Sequence, residues 1–221
     1  MGKKENQLNP NDEVCTPPAI YERVLKALGV DRFSFDPCSH PDSTIPADYR
    51  VLLPKYERLS SPISLPDGTS VRIADYHASD LIYGDGLKLS WEDQLPWLNP
   101  PYSQLQYPKK YPWLEKLSKE AEQGVAFLPV RTSSGWWHEG VLNNPHADIL
   151  VQLKGRVQHV GHECGSPFHQ VLVGYNVIPT LAEQRAWTHD NAEEYLLEEK
   201  WRPAFNHPHG GFVSSLRRMR Q

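Results

Sequence analysis

Leu95-Pro96-Trp97-Leu98-Asn99-Pro100-Pro101-Tyr102 couples a short apolar run to a polar, proline-locked end. The run predicts a strand. An asparagine at its end, followed by two prolines of fixed φ, aims the Asn99 side-chain oxygen and the Pro100 carbonyl into one crevice. Two acceptors facing one amine have a chemical use. An amine conjugated to an aromatic ring is a poor nucleophile, and hydrogen bonds accepted from its protons push its lone pair toward an electrophile. Tyr102 is placed to stack on the ring. The competing reading is an ordinary turn in a chain with 20 prolines.

Working outward, strands and helices alternate, which implies an α/β fold with a mostly parallel central sheet flanked by helices. Residues up to about Val14 read as a flexible arm. Thr16-Pro17-Pro18 predicts a helix start with Thr16 as N-cap and Pro17 at the first position; Ile20, Val24, Leu25 and Leu28 share one face, and Gly29 stops it. Phe33-Ser34-Phe35 predicts a short strand with Asp36-Pro37-Cys38-Ser39 just past its end, where open α/β sheets bind ligands. The stretch 41–83 reads as an irregular insertion with one strand near Val71-Ile73. Trp113, Leu114, Leu117 and Ala121 have helical spacing, closed by Gly124 before the strand Val125–Val130. Trp136 to Leu142 predicts a helix, and Ala147–Leu153 and Val171–Val177 predict strands. Residues 178–221 read as an extension, helical around Ala192 to Lys200 and loop-like from Trp201, with a basic tail, Arg217, Arg218 and Arg220.

With 221 residues and 39% hydrophobic content the chain has enough for a sizeable core, most simply a single domain over 1–221. A net charge of −4 and a pI near 6.2 exclude a protein that coats nucleic acid by bulk charge. They leave room for a local basic face, for which Lys109-Lys110 beside the tetrapeptide is the candidate. The cysteines Cys15, Cys38 and Cys164 lack C-x-x-C spacing, which suits a reducing cytoplasm. Neither a membrane span nor the apolar core of a signal peptide is legible. The spacing of His159, His162, Cys164 and His169 matches no common metal-ligand pattern, so no metal is expected.

Taken in order, Thr16-Pro17-Pro18, Asp36-Pro37-Cys38-Ser39, Gly84-Asp85-Gly86-Leu87 and Asn99-Pro100-Pro101-Tyr102 form a series. It resembles S-adenosylmethionine-dependent DNA amino-methyltransferases, and within them the phage-type, Dam-like DNA N6-adenine methyltransferase family. Phe127-Leu128-Pro129-Val130-Arg131-Thr132 before Trp136-Trp137, then Gly155-Arg156 and Pro167-Phe168, extend the likeness over about Val14 to Tyr175.

The resemblance implies a Rossmann-like class I methyltransferase fold. It further implies S-adenosylmethionine as cofactor, double-stranded DNA as partner, N6-adenine methylation as activity and a phage role in protecting DNA from restriction in a bacterial cytoplasm. On it, Thr16 and Pro17 cover the methionine end of the cofactor, and Pro37 and Cys38 bind the cofactor as part of the Asp36 motif. Asp36 faces the cofactor ammonium, and Asp85 accepts from its adenine amine. Asn99, Pro100, Pro101 and Tyr102 form the catalytic motif, Asn99 lying against the cofactor as well. Tyr102, Phe168, Lys109 and Lys110 contact the substrate. For Asp36 a capping role, for Asp85 a plain Asp-Gly turn, and for Phe168 a core position are the structural alternatives. The chain departs from broader methyltransferases in lacking a glycine-rich Phe-x-Gly-x-Gly, and the Asp36 to Asp85 gap is long. The acidic ribose ligand is unplaced, with Glu57 and Asp75 as candidates. The rival functions are RNA guanine-N2 or protein glutamine methylation, and an inactive methyltransferase-like binding module.

Overall fold

The computed structural model describes residues 14–52, 63–64, 70–71, 81–105, 111–177, 201 and 212–216. Its strands are β1 (Phe33–Ser39), β2 (Ala47–Leu52), β3 (Ile63–Ser64), β4 (Ser70–Val71), β5 (Leu81–Tyr83), β6 (Trp97–Leu98), β7 (Gly124–Pro129), β8 (Ala147–Gln152), β9 (Gln170–Tyr175) and β10 (Phe212–Ser215). The helices are α1 (Pro18–Leu28), α2 (Pro112–Glu120) and α3 (Gly135–Trp137), the last running into a π turn at His138–Leu142.

One flank is parallel, in the order β1-β2-β5. The other runs β6-β7-β9-β8-β10, with β6 parallel to β7 and every later pairing antiparallel. A parallel bridge between Phe35 and Pro96 sets β6 beside β1. The chain therefore winds outward through β1, β2 and β5, then returns to the other side of β1 and continues through β6 and β7. Doubly wound α/β sheets take their ligands at such a reversal, outside the C-terminal strand ends, here those of β1 and β6.

The expectation of a mostly parallel sheet holds for half of it. From β8 to β9 the chain returns through the loop 153–169, which holds no helix, so the two strands lie antiparallel; a parallel return needs a crossover. On β7 alternate residues enter opposite cores: Val125 and Phe127 pack with α1 through Val24 and Leu25, while Ala126 and Leu128 pack with α2 and α3 through Leu114, Leu117 and Trp136. Both faces of β7 are thus covered, and all its residues are buried.

Several local expectations are corrected. Thr16 does not cap α1: Pro17 is the N-cap residue, with no side-chain cap bond, and the helix opens at Pro18. Gly29 does close it, with φ 73° and its N–H on Leu25 and Lys26 carbonyls. Asp36, Pro37, Cys38 and Ser39 lie inside β1 rather than past it. The ladder with β2 shifts register between Asp36 and Ser39, as expected where Pro37 has no N–H to give. Gly124 opens β7 rather than ending α2, and it is small because Leu117 Cδ1 would lie 2.4 Å from any Cβ there.

The largest correction concerns 41–83, which supplies two sheet strands, β2 and β5, besides the β3-β4 pair. The β1-to-β2 crossover has no helix: a turn closes with Ser43 N–H on the His40 carbonyl, and extended chain runs to Pro46, whose carbonyl accepts from Phe33. Eight extended steps reach about 26 Å, enough to return along about 20 Å of strand. The tail expected to be loop contributes β10 at Phe212–Ser215. The arm before Val14, Glu57, Asp75, the helix expected at 192–200, and Arg217, Arg218 and Arg220 lie outside the described residues.

Candidate active site

Asn99 follows β6 directly, and two hydrogen bonds hold it. The Cys38 thiol donates to the Asn99 backbone carbonyl at 3.0 Å, tying β1 to the start of the tetrapeptide. The Asn99 side-chain amide donates to the Val14 carbonyl at 2.9 Å. Since a carbonyl only accepts, that bond decides which way the amide faces. Its oxygen, Oδ1, is left buried with no hydrogen-bond partner.

A second buried oxygen without a partner, Thr16 Oγ1, lies two residues beyond the Val14 anchor. Leaving such a group unpaired costs about 1–3 kcal/mol, so each of the two marks a place shaped for a polar contact. Pro100 and Pro101 are buried and Tyr102 is half-buried, opening a single 3-10 turn at Tyr102–Leu105.

Asp36 is 3% exposed. Burial pushes its carboxyl up to about 6, and contacts with Ser39 and the Cys38 amide, with the charge of Arg50 on β2, offset only part of that. A carboxylate so placed favours a cation. Burial, then the Asp42 and Asp36 charges, push the Cys15 thiol up to about 11. Burial raises Cys38 well above the usual thiol range. Both stay protonated at neutral pH, which keeps Cys38 a donor to Asn99.

Asp85 is exposed, and its Oδ1 accepts from the Leu87 N–H, capping the short turn Gly86–Lys88. The Asp-Gly turn reading is thus realised, at a place that abuts the site. A Cβ on Gly86 would sit 1.9 Å from the Pro37 carbonyl oxygen, and the Gly86 carbonyl takes the buried Trp91 indole N–H at 2.9 Å. Backbone meets backbone there, and neither side yields by a rotamer change. Gly86→Ala is expected to destabilise by about 3 kcal/mol, measured by urea unfolding. A loss under about 1 kcal/mol would mean the two segments are free to part.

The tetrapeptide's far end is held by residues that sequence reasoning missed. Gln170 Nε2 donates to the Tyr102 hydroxyl at 3.0 Å and lies 2.8 Å from His159 Nε2, while His159 Nδ1 lies 3.2 Å from the Cys15 carbonyl. A buried glutamine opening the apolar run Val171-Leu172-Val173 was the available signal. His159 is committed to these contacts, and the His169 ring bonds the Gly155 carbonyl. Among the described residues no His, Cys, Asp and Glu group is placed to hold a metal.

Phe168 is half-buried in the loop before β9, with the Arg131 guanidinium 4.2 Å from its ring centre. Both follow from the β7-β9 pairing, since Pro129 and Gln170 lie opposite one another. Lys109 and Lys110 lie outside the described residues.

No protein-family model matches the chain, and no curated protein is similar to it. Among the described residues no helix is long and apolar enough to cross a membrane.

Proposed function

We propose that the crevice at the ends of β1 and β6 binds S-adenosylmethionine and transfers its methyl group to the N6 amine of an adenine flipped out of DNA. The observation that carries this is Asn99 Oδ1: a buried, unpartnered acceptor held in one orientation by Val14, at the position that the sequence assigns to amine activation. The switch-point topology supports it, since a class I methyltransferase fold also binds its cofactor where the strand order reverses.

The residues present suit that cofactor. Asp36 offers a buried carboxylate to an ammonium group, and Thr16 Oγ1 offers a buried oxygen with no partner. Asp85, one residue before the Gly86 that packs on the Pro37 carbonyl, is the acceptor for an adenine amine. Bound S-adenosylmethionine supplies an electrophilic sulfonium methyl. Asn99 Oδ1 and the Pro100 carbonyl accept the amine hydrogens, which pushes the lone pair of the nitrogen outward. Tyr102 stacks on the base and repays part of the few kcal/mol that unstacking requires; Phe168 is a second stacking surface, worth about 1–3 kcal/mol per base. Placement and polarisation carry the catalysis, with no covalent intermediate on the protein.

The test is methyl transfer from labelled S-adenosylmethionine to adenine-unmethylated DNA, followed by digestion and nucleoside mass analysis. N6-methyladenine is the expected product. Label in RNA or protein amides alone would reassign the substrate, and absence of cofactor binding would leave a non-catalytic binding module.

A further inference from the structure

We propose that Gln170 and His159 form a positioning relay that fixes Tyr102 through its hydroxyl, so that Asn99 and Tyr102 are both referenced to one short strap, Val14-Cys15. The inference rests on the functional reading above and goes beyond it in naming residues outside the tetrapeptide.

The proton assignments follow from donor and acceptor chemistry. The Cys15 carbonyl only accepts, so His159 Nδ1 carries the hydrogen on that side. Burial lowers the affinity of His159 for a second proton, the Cys15 carbonyl offsets part of that and the neighbouring His162 adds to it, so Nε2 keeps a lone pair. That lone pair accepts from Gln170 Nε2 at 2.8 Å, and the second amide hydrogen goes to the Tyr102 hydroxyl at 3.0 Å. Both Gln170 hydrogens are thereby used. A flipped amide would set its oxygen against the His159 lone pair. In the orientation observed, Gln170 Oε1 is buried without a partner. An amide held so despite an orphaned oxygen has its direction dictated by the two groups on its nitrogen.

The relay ends where the other anchor begins. Asn99 Nδ2 bonds the Val14 carbonyl, and the chain from Tyr102 through Gln170 and His159 ends on the next carbonyl, that of Cys15. Cys15 in turn pairs with Val160 in an antiparallel bridge, its carbonyl also accepting from the Val160 N–H at 3.2 Å. The first and last residues of the tetrapeptide are thus fixed against two consecutive peptides of the same strap. Holding both ends sets the separation between an amine held by Asn99 and a ring stacked on Tyr102.

The test is a double-mutant cycle of Gln170→Leu and Tyr102→Phe on the full chain, reading cofactor Kd and the single-turnover methyl-transfer rate on unmethylated DNA. Each single variant is expected to slow transfer roughly tenfold with the cofactor Kd unchanged, and the double variant to be no slower than either. Tyr102→Phe keeps the ring and removes only the hydroxyl, so it tests the relay even if Gln170→Leu folds poorly. Full activity in Tyr102→Phe, or strictly multiplicative losses in the double variant, would overturn the relay while leaving the functional reading intact. Wild-type chain that neither binds cofactor nor transfers methyl would overturn the reading, and the relay's role with it.

Discussion

Asn99→Ala is expected to slow methyl transfer by about 10²–10³-fold while the chain still folds and binds cofactor. The size follows from removing one preoriented hydrogen-bonding group from a water-poor site. Folding is expected to change little, because the substitution removes a donor bond to Val14 and a buried acceptor that has no partner, two losses of opposite sign. Asn99→Asp separates the two roles of the side chain. Aspartate keeps an acceptor but has no hydrogen for the Val14 carbonyl, so its carboxylate is repelled from the anchor and turns away. It is therefore expected to be nearly as impaired as alanine, although it could still accept from an amine. Single-turnover rates with labelled S-adenosylmethionine, beside thermal unfolding of each variant, decide the matter. An alanine variant within threefold of wild type would remove Asn99 from the chemistry and the proposed reaction with it.

What was legible in the sequence lies along β1 and β6. Asn99 and Asp36 were singled out because a polar residue beside proline, after apolar residues, is a local signal; Asn99 follows β6 and Asp36 lies within β1, and the two strands meet through the Phe35–Pro96 bridge and the Cys38–Asn99 bond. The second strand of the sheet was hidden for an equally local reason. Ala47–Leu52 carries Asp48, Tyr49 and Arg50 in its middle, with Asp48 and Tyr49 exposed, so neither alternation nor a solid apolar run marks it. The missing crossover helix removed the other clue to a parallel strand. Thr16 fails as a cap because the helix opens one residue later, at Pro18 with Pro17 as the N-cap residue, and its buried hydroxyl bonds nothing in the first turn. Gln170 and His159 were beyond reach because their contacts join positions 15, 102, 159 and 170, which no window along the chain contains.

Asp36→Asn is expected to make the free protein more stable and the cofactor bind worse, a pairing that an ordinary core residue would not give. The sign comes from linkage. The folded carboxyl titrates at about 6, above the roughly 3.9 of an unfolded aspartate, so the folded state holds the proton more tightly. This group's contribution is fully favourable below about pH 4, declines as the pH rises from about 4 to 6, and above that is a standing cost of about 3 kcal/mol. Asparagine has no charge to bury. Allowing for the contacts it makes less well, it should recover about 1–2 kcal/mol at pH 7.5, or a rise of about 2–8 °C in Tm at 2–4 °C per kcal/mol. On the proposed function a bound cation offsets that cost, and the cofactor is expected to lose about 10–100-fold in affinity when the charge is removed. In the wild-type chain the same ionisation is expected to make cofactor Kd worsen about tenfold per pH unit below 6, and Asp36→Asn should flatten that dependence. Calorimetric titration of S-adenosylmethionine between pH 5 and 8, with thermal scans of both proteins across the same range, measures all three effects. A variant that is less stable at pH 7.5 and keeps the wild-type pH profile would show that Asp36 is a structural acid, and that the cation site lies elsewhere.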